Sequence, residues 1–444
     1  MRPARWLGGV LVVAVVLAGA TFYVERAPQS SLTAGTTTPS AADGEYVERL
    51  ADCVACHSVP GGAPFAGGLK MGTPLGALYS TNITPDPSTG IGGYSLADFD
   101  NALRRGVARD GHRLYPAMPY PSYAKLTDDD VRKLYEFFMH SVQPVHQENH
   151  PTEIGFPLNH RGIMAFWDAL FLHDGTYQNK PEHDAPWNRG AYLVQGPGHC
   201  GSCHTARGIA FNETALDESS AGYLAGALLD GWYASKLRGD PLLGLGRWSE
   251  QDIVNLLKSG HNAHATVYGS MLDAFNNSTQ YFSDDDLSAI ARYLKSLDAE
   301  SSAGAPTFTY GEQTLQALDR GDLGATGAGL FLNQCSACHG RDGLGHGDLL
   351  PPLAGNPAAL EQDPSSLINI VLNGAGRIVV NGVPDSYRMT PFRVLLSDQN
   401  IADIATFVRT SWGNSGSAVT ASQVRALRDA TDPSSDHVIV LRLR

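Results

Sequence analysis

Apolar side chains recur at helical spacing behind three hydroxyl residues. Counting from Thr127, Ser283 and Ser397, they fall at +4, +7 and +11: Val131, Leu134 and Phe138; Leu287, Ile290 and Leu294; Ile401, Ile404 and Val408. An aromatic residue takes +10 each time, as Phe137, Tyr293 and Phe407. That spacing lines up one face of a helix. Thr127-Asp-Asp-Asp130, Ser283-Asp-Asp-Asp286 and Ser397-Asp-Gln-Asn400 supply the capping hydroxyl and an acidic first turn that suits the helix dipole.

A shorter amphipathic stretch precedes each capped helix and stops at a glycine. Ser95 through Phe99 runs to Gly106, Ser249 through Leu257 to Gly260, and Ser366 through Leu372 to Gly374. Glycine there suits the left-handed residue that ends a helix. Loops rich in Pro, Tyr and Ser follow, each with a methionine: Met118 after 12 residues, Met271 after 11 and Met389 after 15. Farther upstream, Gly44-Glu45-Tyr46, Gly190-Ala191-Tyr192 and Gly329-Leu330-Phe331 open each repeat. A glycine lets backbones approach, so the first and last helices of a repeat are expected to cross there. Strand signals are sparse, Val379-Val380 and Val438-Ile439-Val440 being the exceptions.

The pattern predicts an all-α chain of three small tandem domains at 43–147, 186–300 and 323–415, with linkers at 148–185 and 301–322 and a tail at 416–444 that carries no motif. The first linker holds one apolar stripe, Gly162 to Phe171, which reads as inter-domain packing or as a docking face for a partner or membrane.

The N-terminus points to export. Arg2 and Arg5 precede an uncharged run from Trp6 to Val24, an arrangement that keeps the start cytoplasmic and sends the rest across the membrane. As a helix the run rises about 28 Å, barely the thickness of a hydrocarbon core. Ala18-Gly19-Ala20 resembles a cleavage site, so residues 1–26 are expected to be a signal peptide or a membrane anchor, followed by a flexible tether at 27–42. A net charge of −13 argues against nucleic acid, which calls for a basic face.

All six cysteines fall in one pattern written three times: Cys53-Val-Ala-Cys56-His57, Cys200-Gly-Ser-Cys203-His204 and Cys335-Ser-Ala-Cys338-His339. Cys-x-x-Cys-His is the attachment signature of c-type haem. Its thiols add across the vinyl groups and its imidazole becomes the proximal iron ligand. Disulfides would be strained at a two-residue gap, and zinc explains neither the odd number of pairs nor the histidine after each. Three covalently bound haem c groups are therefore expected.

A thioether on the far side of the iron would close the sixth position and raise the reduction potential, which suits electron transfer. Met118, Met271 and Met389 stand at the repeated register before the capped helix, with His112, His261 and His264 in the same loops as alternatives. Arg104, Arg105, Arg207, Arg238 and Arg377 are candidate partners for haem propionates, and Asn82 a candidate donor at the first haem edge. No triad, phosphate loop or paired carboxylates stand out, so no catalytic residue is assigned.

Between Gly44 and Asn414 the chain resembles the three-haem cytochrome c subunit of membrane-bound bacterial dehydrogenases. The resemblance rests on Asp52-Cys-Val-Ala-Cys-His57, Ser80-Thr-Asn-Ile-Thr-Pro-Asp86, Leu114-Tyr-Pro-Ala-Met-Pro-Tyr120, Gly198-His-Cys-Gly-Ser-Cys-His204, Ser278-Thr-Gln-Tyr281 and Ser411-Trp-Gly-Asn414. It implies class I cytochrome c-like domains and the iron ligand pairs His57/Met118, His204/Met271 and His339/Met389. It also implies a subunit that takes electrons from a large PQQ- or FAD-dependent dehydrogenase acting on alcohols, sugars or sugar acids, and passes them to ubiquinone at the periplasmic face of the inner membrane. Family members carry Met-Pro at the third ligand, where this chain has Met389-Thr390-Pro391. The rival expectations are a peroxidase-like enzyme with one catalytic haem and a zinc-binding interaction module.

Overall fold

The computed structural model describes residues 30–36, 39–297, 306–347, 349–385 and 387–432. The expected export segment, residues 27–29 and 37–38 of the expected tether and the strand signal at Val438–Val440 lie outside them, while Leu32 of the tether is buried and Ala41 and Ala42 open the first helix. Among the described residues no helix is long and apolar enough to cross a membrane.

Each repeat lays down an opening helix, a one-turn helix on the Cys-x-x-Cys-His motif, a middle helix and a closing helix. In the first these are Ala41–Ala51, Cys53–Cys56, Leu96–Arg105 and Asp128–His140. In the second they are Ala185–Gln195, Gly201–His204, Glu250–Ser259 and Asp284–Ser296. In the third they are Ala328–Gln334, Ser336–His339, Ser365–Asn373 and Asp398–Thr410, followed by a further helix, Ala421–Ala430.

The closing helices start where the pattern puts them. Thr127, Ser283 and Ser397 each accept a hydrogen bond from the N–H three residues on. Their +4, +7 and +11 side chains are all buried. The middle helices of the first two repeats carry reciprocal capping boxes, Ser95 with Asp98 and Ser249 with Asp252, and end at left-handed Gly106 and Gly260. The third starts one residue earlier than expected, behind Pro364 and without a side-chain cap. Its Ser366 instead bonds the main chain of Tyr233 in the second repeat, at 2.8 and 3.0 Å.

Opening and closing helices cross on glycine, with one correction. A Cβ on Gly44 would lie 2.5 Å from the Lys133 carbonyl oxygen, and one on Gly190 only 2.0 Å from that of Ala289. In the third repeat the residue at this crossing is Gly327, 2.1 Å from the Asp403 oxygen, whereas a Cβ on Gly329 meets nothing nearer than 3.8 Å. Lys133, Ala289 and Asp403 all stand six residues past their caps, so Gly327 is the true counterpart.

Among the described residues three two-stranded antiparallel ribbons interrupt the helices: Lys70–Thr73 with Gly76–Tyr79, Ala227–Leu229 with Trp232–Ala234, and Val379–Val380 with Val383–Pro384. Only the last was expected. The others, Lys-Met-Gly-Thr with Gly-Ala-Leu-Tyr and Ala-Leu-Leu with Trp-Tyr-Ala, lack a β-branched pair like Val379-Val380 to mark them. The architecture is thus helix-rich with few strands, a coarser description than the all-α one expected.

Repeats one and two share one hydrophobic core, and the third has its own. The apolar stripe in the first linker is a helix, Ile163–Phe171. Its Met164 and Trp167 pack on Tyr120, and the Trp167 indole N–H donates to the Ala210 carbonyl at 2.8 Å. Packing between elements accounts for that face, while Phe166 and Leu170 face out.

Candidate functional site

The haem motif is a single helical turn wherever it occurs. The N–H groups of His57, His204 and His339 each donate to the carbonyl of the first motif cysteine at 3.0 Å. An i to i−4 bond places that cysteine and the histidine on one face, with the second cysteine a turn away. None of the six cysteines is in a disulfide. Burial pushes the thiols of Cys200 and Cys335 up to about 12, that of Cys203 to about 11, and that of Cys53 well above the ordinary range. Such thiols are poor thiolates, which suits neither disulfide exchange nor an unaided metal thiolate. Among the described residues no three His, Cys, Asp or Glu side chains gather as a zinc site would require.

All three motif histidines are turned the same way. His57 Nδ1 lies 2.7 Å from the Thr81 carbonyl oxygen, His204 Nδ1 2.7 Å from that of Ser235, and His339 Nδ1 3.2 Å from that of Pro351. A carbonyl can only accept, so Nδ1 carries the proton and Nε2 is left as a bare donor for a metal. Burial holds each ring's pKa below its usual value and so keeps it neutral. Local folding aims the carbonyls. The N–H groups of Gly67 and Gly226 bond the His57 and His204 carbonyls at 2.7 and 2.8 Å, and left-handed Phe65 and Leu224 turn the chain into the loops that reach Thr81 and Ser235. In the third repeat Gly345 makes the corresponding bond at 3.1 Å.

The three methionines are half-buried. Met118 packs against the core shared by repeats one and two, and Met389 against the core of the third. Met271 is in the first turn of a helix, Ser270–Asn277, rather than in a loop, and packs with Val267, Leu272, Phe275 and Ile378. The alternative histidines have other contacts: His112 is held by Asp110, and His264 stacks on Trp248 at 5.3 Å near Asp252. His261 pairs through its main chain with Thr266.

The arginines singled out in the sequence are engaged with protein groups. Arg104 and Arg105 share buried Asp100, Arg207 holds the Ser202 and Phe211 carbonyls, Arg238 that of Tyr223 and Arg377 that of Asp385. Asn82 spends its amide hydrogens on Thr89 and the Val145 and Gln147 carbonyls, so it anchors a loop and not a haem edge.

Sequence reasoning missed three other donors. The Tyr223 hydroxyl, Trp248 Nε1 and Arg247 Nε are buried with no hydrogen-bond partner among the described residues. Leaving a buried donor unpaired costs on the order of 1–3 kcal/mol, so three in one repeat call for an acceptor. A porphyrin's carboxylates fit that need. Arg247 and Trp248, both between Gly246 and the Ser249 cap, shared a positional signal, and Tyr223 had none.

The known proteins agree with this chemistry. The cytochrome c family model matches residues 324–412. The chain is 51% identical over 391 residues to the gluconate 2-dehydrogenase cytochrome c subunit of Pantoea cypripedii, covering 87% of this chain and 88% of that one. It is 47% identical over 396 residues to the cytochrome c subunit of the quinone alcohol dehydrogenase of Gluconobacter oxydans, covering 88% and 83%. The fructose dehydrogenase cytochrome subunit of Gluconobacter japonicus is 37% identical over 450 residues, covering 96% and 90%. With thiols, oriented imidazoles and sequence in agreement, this chain belongs to the family of cytochrome c subunits of bacterial gluconate, alcohol and fructose dehydrogenases.

Proposed function

We propose that the chain carries electrons through three covalent haem c groups from a PQQ- or FAD-dependent dehydrogenase subunit to ubiquinone, at the periplasmic face of the inner membrane. Cys53 and Cys56, Cys200 and Cys203, and Cys335 and Cys338 attach the groups in three tandem class I cytochrome c-like domains. The iron ligands are His57 and Met118, His204 and Met271, and His339 and Met389. The observation that carries this reading is the common orientation of the three histidines, each with Nδ1 on a main-chain carbonyl. Haem supplies a one-electron centre whose potential a thioether raises. The protein keeps each imidazole neutral, fixes its tautomer and leaves it half-buried. Tyr223, Arg247 and Trp248 are the donors offered to propionates in the second domain.

A pyridine haemochrome assay should give three haems per chain. Dithionite-reduced chain, in complex with its large subunit, should then reduce a ubiquinone analogue; no transfer in that complex rejects the quinone role. Met118→Ala and Met271→Ala should each lower one haem's potential and admit cyanide or carbon monoxide. Unchanged spectra in both variants would remove the axial assignment.

A further inference from the structure

Each of the first two repeats reaches into the other's closing helix with a tyrosine. Tyr46, two residues past Gly44, donates to Asp286 Oδ2 at 2.7 Å and accepts from the Ser283 N–H at 3.0 Å. Tyr192, two residues past Gly190, donates to Asp130 Oδ2 and accepts from the Thr127 N–H at 3.4 Å. Ser283 and Thr127 are the helix caps, and Asp286 and Asp130 stand three residues on. The same contact is therefore made twice in opposite senses, as an approximate two-fold axis between the repeats requires. Around it Arg189 grips Asp286 through Nε and Nη2 at 2.7 and 2.8 Å, and Arg49 donates to the Asn277 carbonyl at 3.1 Å. In the third repeat Gly329 and Asn400 hold the equivalent positions, so both halves of the contact are missing.

The same axis brings two haem motifs together. Tyr123 donates to the Ala51 carbonyl at 2.7 Å, two residues before Cys53. Its ring meets His199, the residue before Cys200, edge-on with centroids 5.6 Å apart.

We propose that this reciprocal tyrosine–aspartate clasp positions the groups on the first and second motifs as one coupled redox pair, with Tyr123 and His199 in the contact between them, while the third titrates alone. Tyr46 and Tyr192 are positioning residues, acting through the seam. The proposal rests on the reading that both motifs carry haem. The coupling is electrostatic: loss of an electron from one iron leaves a positive charge beside the other and makes its oxidation harder. No atom or proton moves, and in the titration dithionite supplies the electrons and ferricyanide removes them.

The experiment is a potentiometric titration of the full chain by visible and EPR spectroscopy, with motif peptides checked for haem by mass spectrometry. Wild type should show two interacting haems and one independent. Tyr46→Phe/Tyr192→Phe, and the milder Tyr46→Phe alone at the half-exposed end of the seam, should keep three low-spin haems. In both, the interaction between the pair should shrink, and electron exchange between them after flash photoreduction should slow several-fold. Full haem content with unchanged interaction and exchange in both variants overturns the clasp alone. Absence of haem from either of the first two motif peptides overturns the underlying reading, and the clasp with it.

Discussion

Repeats one and two bury their apolar residues in one continuous cluster from Leu32 to Leu297, whereas the third packs a separate cluster from Leu318 to Val424. The seams differ in kind. Between the first two, a shared core is locked by tyrosine hydroxyls on carboxylates. Between the second and third, the joins are mostly hydrogen bonds to main chain: Ser366 to Tyr233, Asn369 to the Gly231 carbonyl, Arg247 to that of Gly355 and Gln280 to that of Val379. Among the described residues a small apolar cluster around Phe275 and Ile378 and the Arg247 guanidinium over the Phe308 ring supplement them. A core shared by two repeats cannot be divided without exposing it to water, but hydrogen-bonded faces can exchange partners with solvent at little net cost. One repeated sequence thus yields a fused pair and an attached third.

The sharpest test of this alignment uses glycine. Gly190→Ala should cost about 3 kcal/mol, because the added methyl meets the Ala289 backbone oxygen rather than a movable side chain. Gly329→Ala, inside a helix and in open space, should be neutral or gain up to about 1 kcal/mol. Denaturant unfolding measures both, and equal losses would mean that Gly327 is not the third crossing residue.

The seams should also answer pH in opposite senses. Burial alone would raise Asp286, but Arg189 and Tyr46 hold it below the ordinary carboxylate value. Its contribution is present above that ordinary value and is lost only as pH falls through the lowered one. Glu361, at the second seam, is 3% exposed with one oxygen unpaired, and burial pushes it up to about 8. Between pH 5 and 8 the folded chain keeps a proton there that the unfolded chain has lost, so stability falls as pH rises. Glu361→Gln should remove that fall and add about 3 kcal/mol at pH 8 relative to pH 5. Melting curves across this range check it, and an unchanged slope would place the titrating group elsewhere.

The smallest contrast concerns helix starts. Ser249→Ala removes a capping box and should cost about 1 kcal/mol, whereas Ser365→Ala, in the uncapped third middle helix, should cost less than about 0.5 kcal/mol. Similar losses would show that the third helix start is capped in solution.

Much of the fold was legible because its signals are local. A hydroxyl before an acidic turn, apolar residues at +4, +7 and +11, and a closing glycine act within a few residues, and each formed where expected in the first two repeats. Gly327 was misread as Gly329 because both lie before the third motif and only the crossing with Asp403 distinguishes them. The first two ribbons and the helical setting of Met271 were missed for a related reason: segments of three to eight residues take their shape from neighbours.

By itself the sequence determined the attachment chemistry, since thiols and imidazole must be adjacent on one turn to meet one porphyrin, and it determined three helical repeats through short-range periodicity. Only the tertiary structure decided which way the imidazoles face, because main-chain carbonyls carry no side-chain signature. It alone also decided that two repeats fuse and the third does not. Tyr46 and Asp286 lie 240 residues apart, and nothing in either neighbourhood names the other until packing around a shared core brings them within hydrogen-bonding reach.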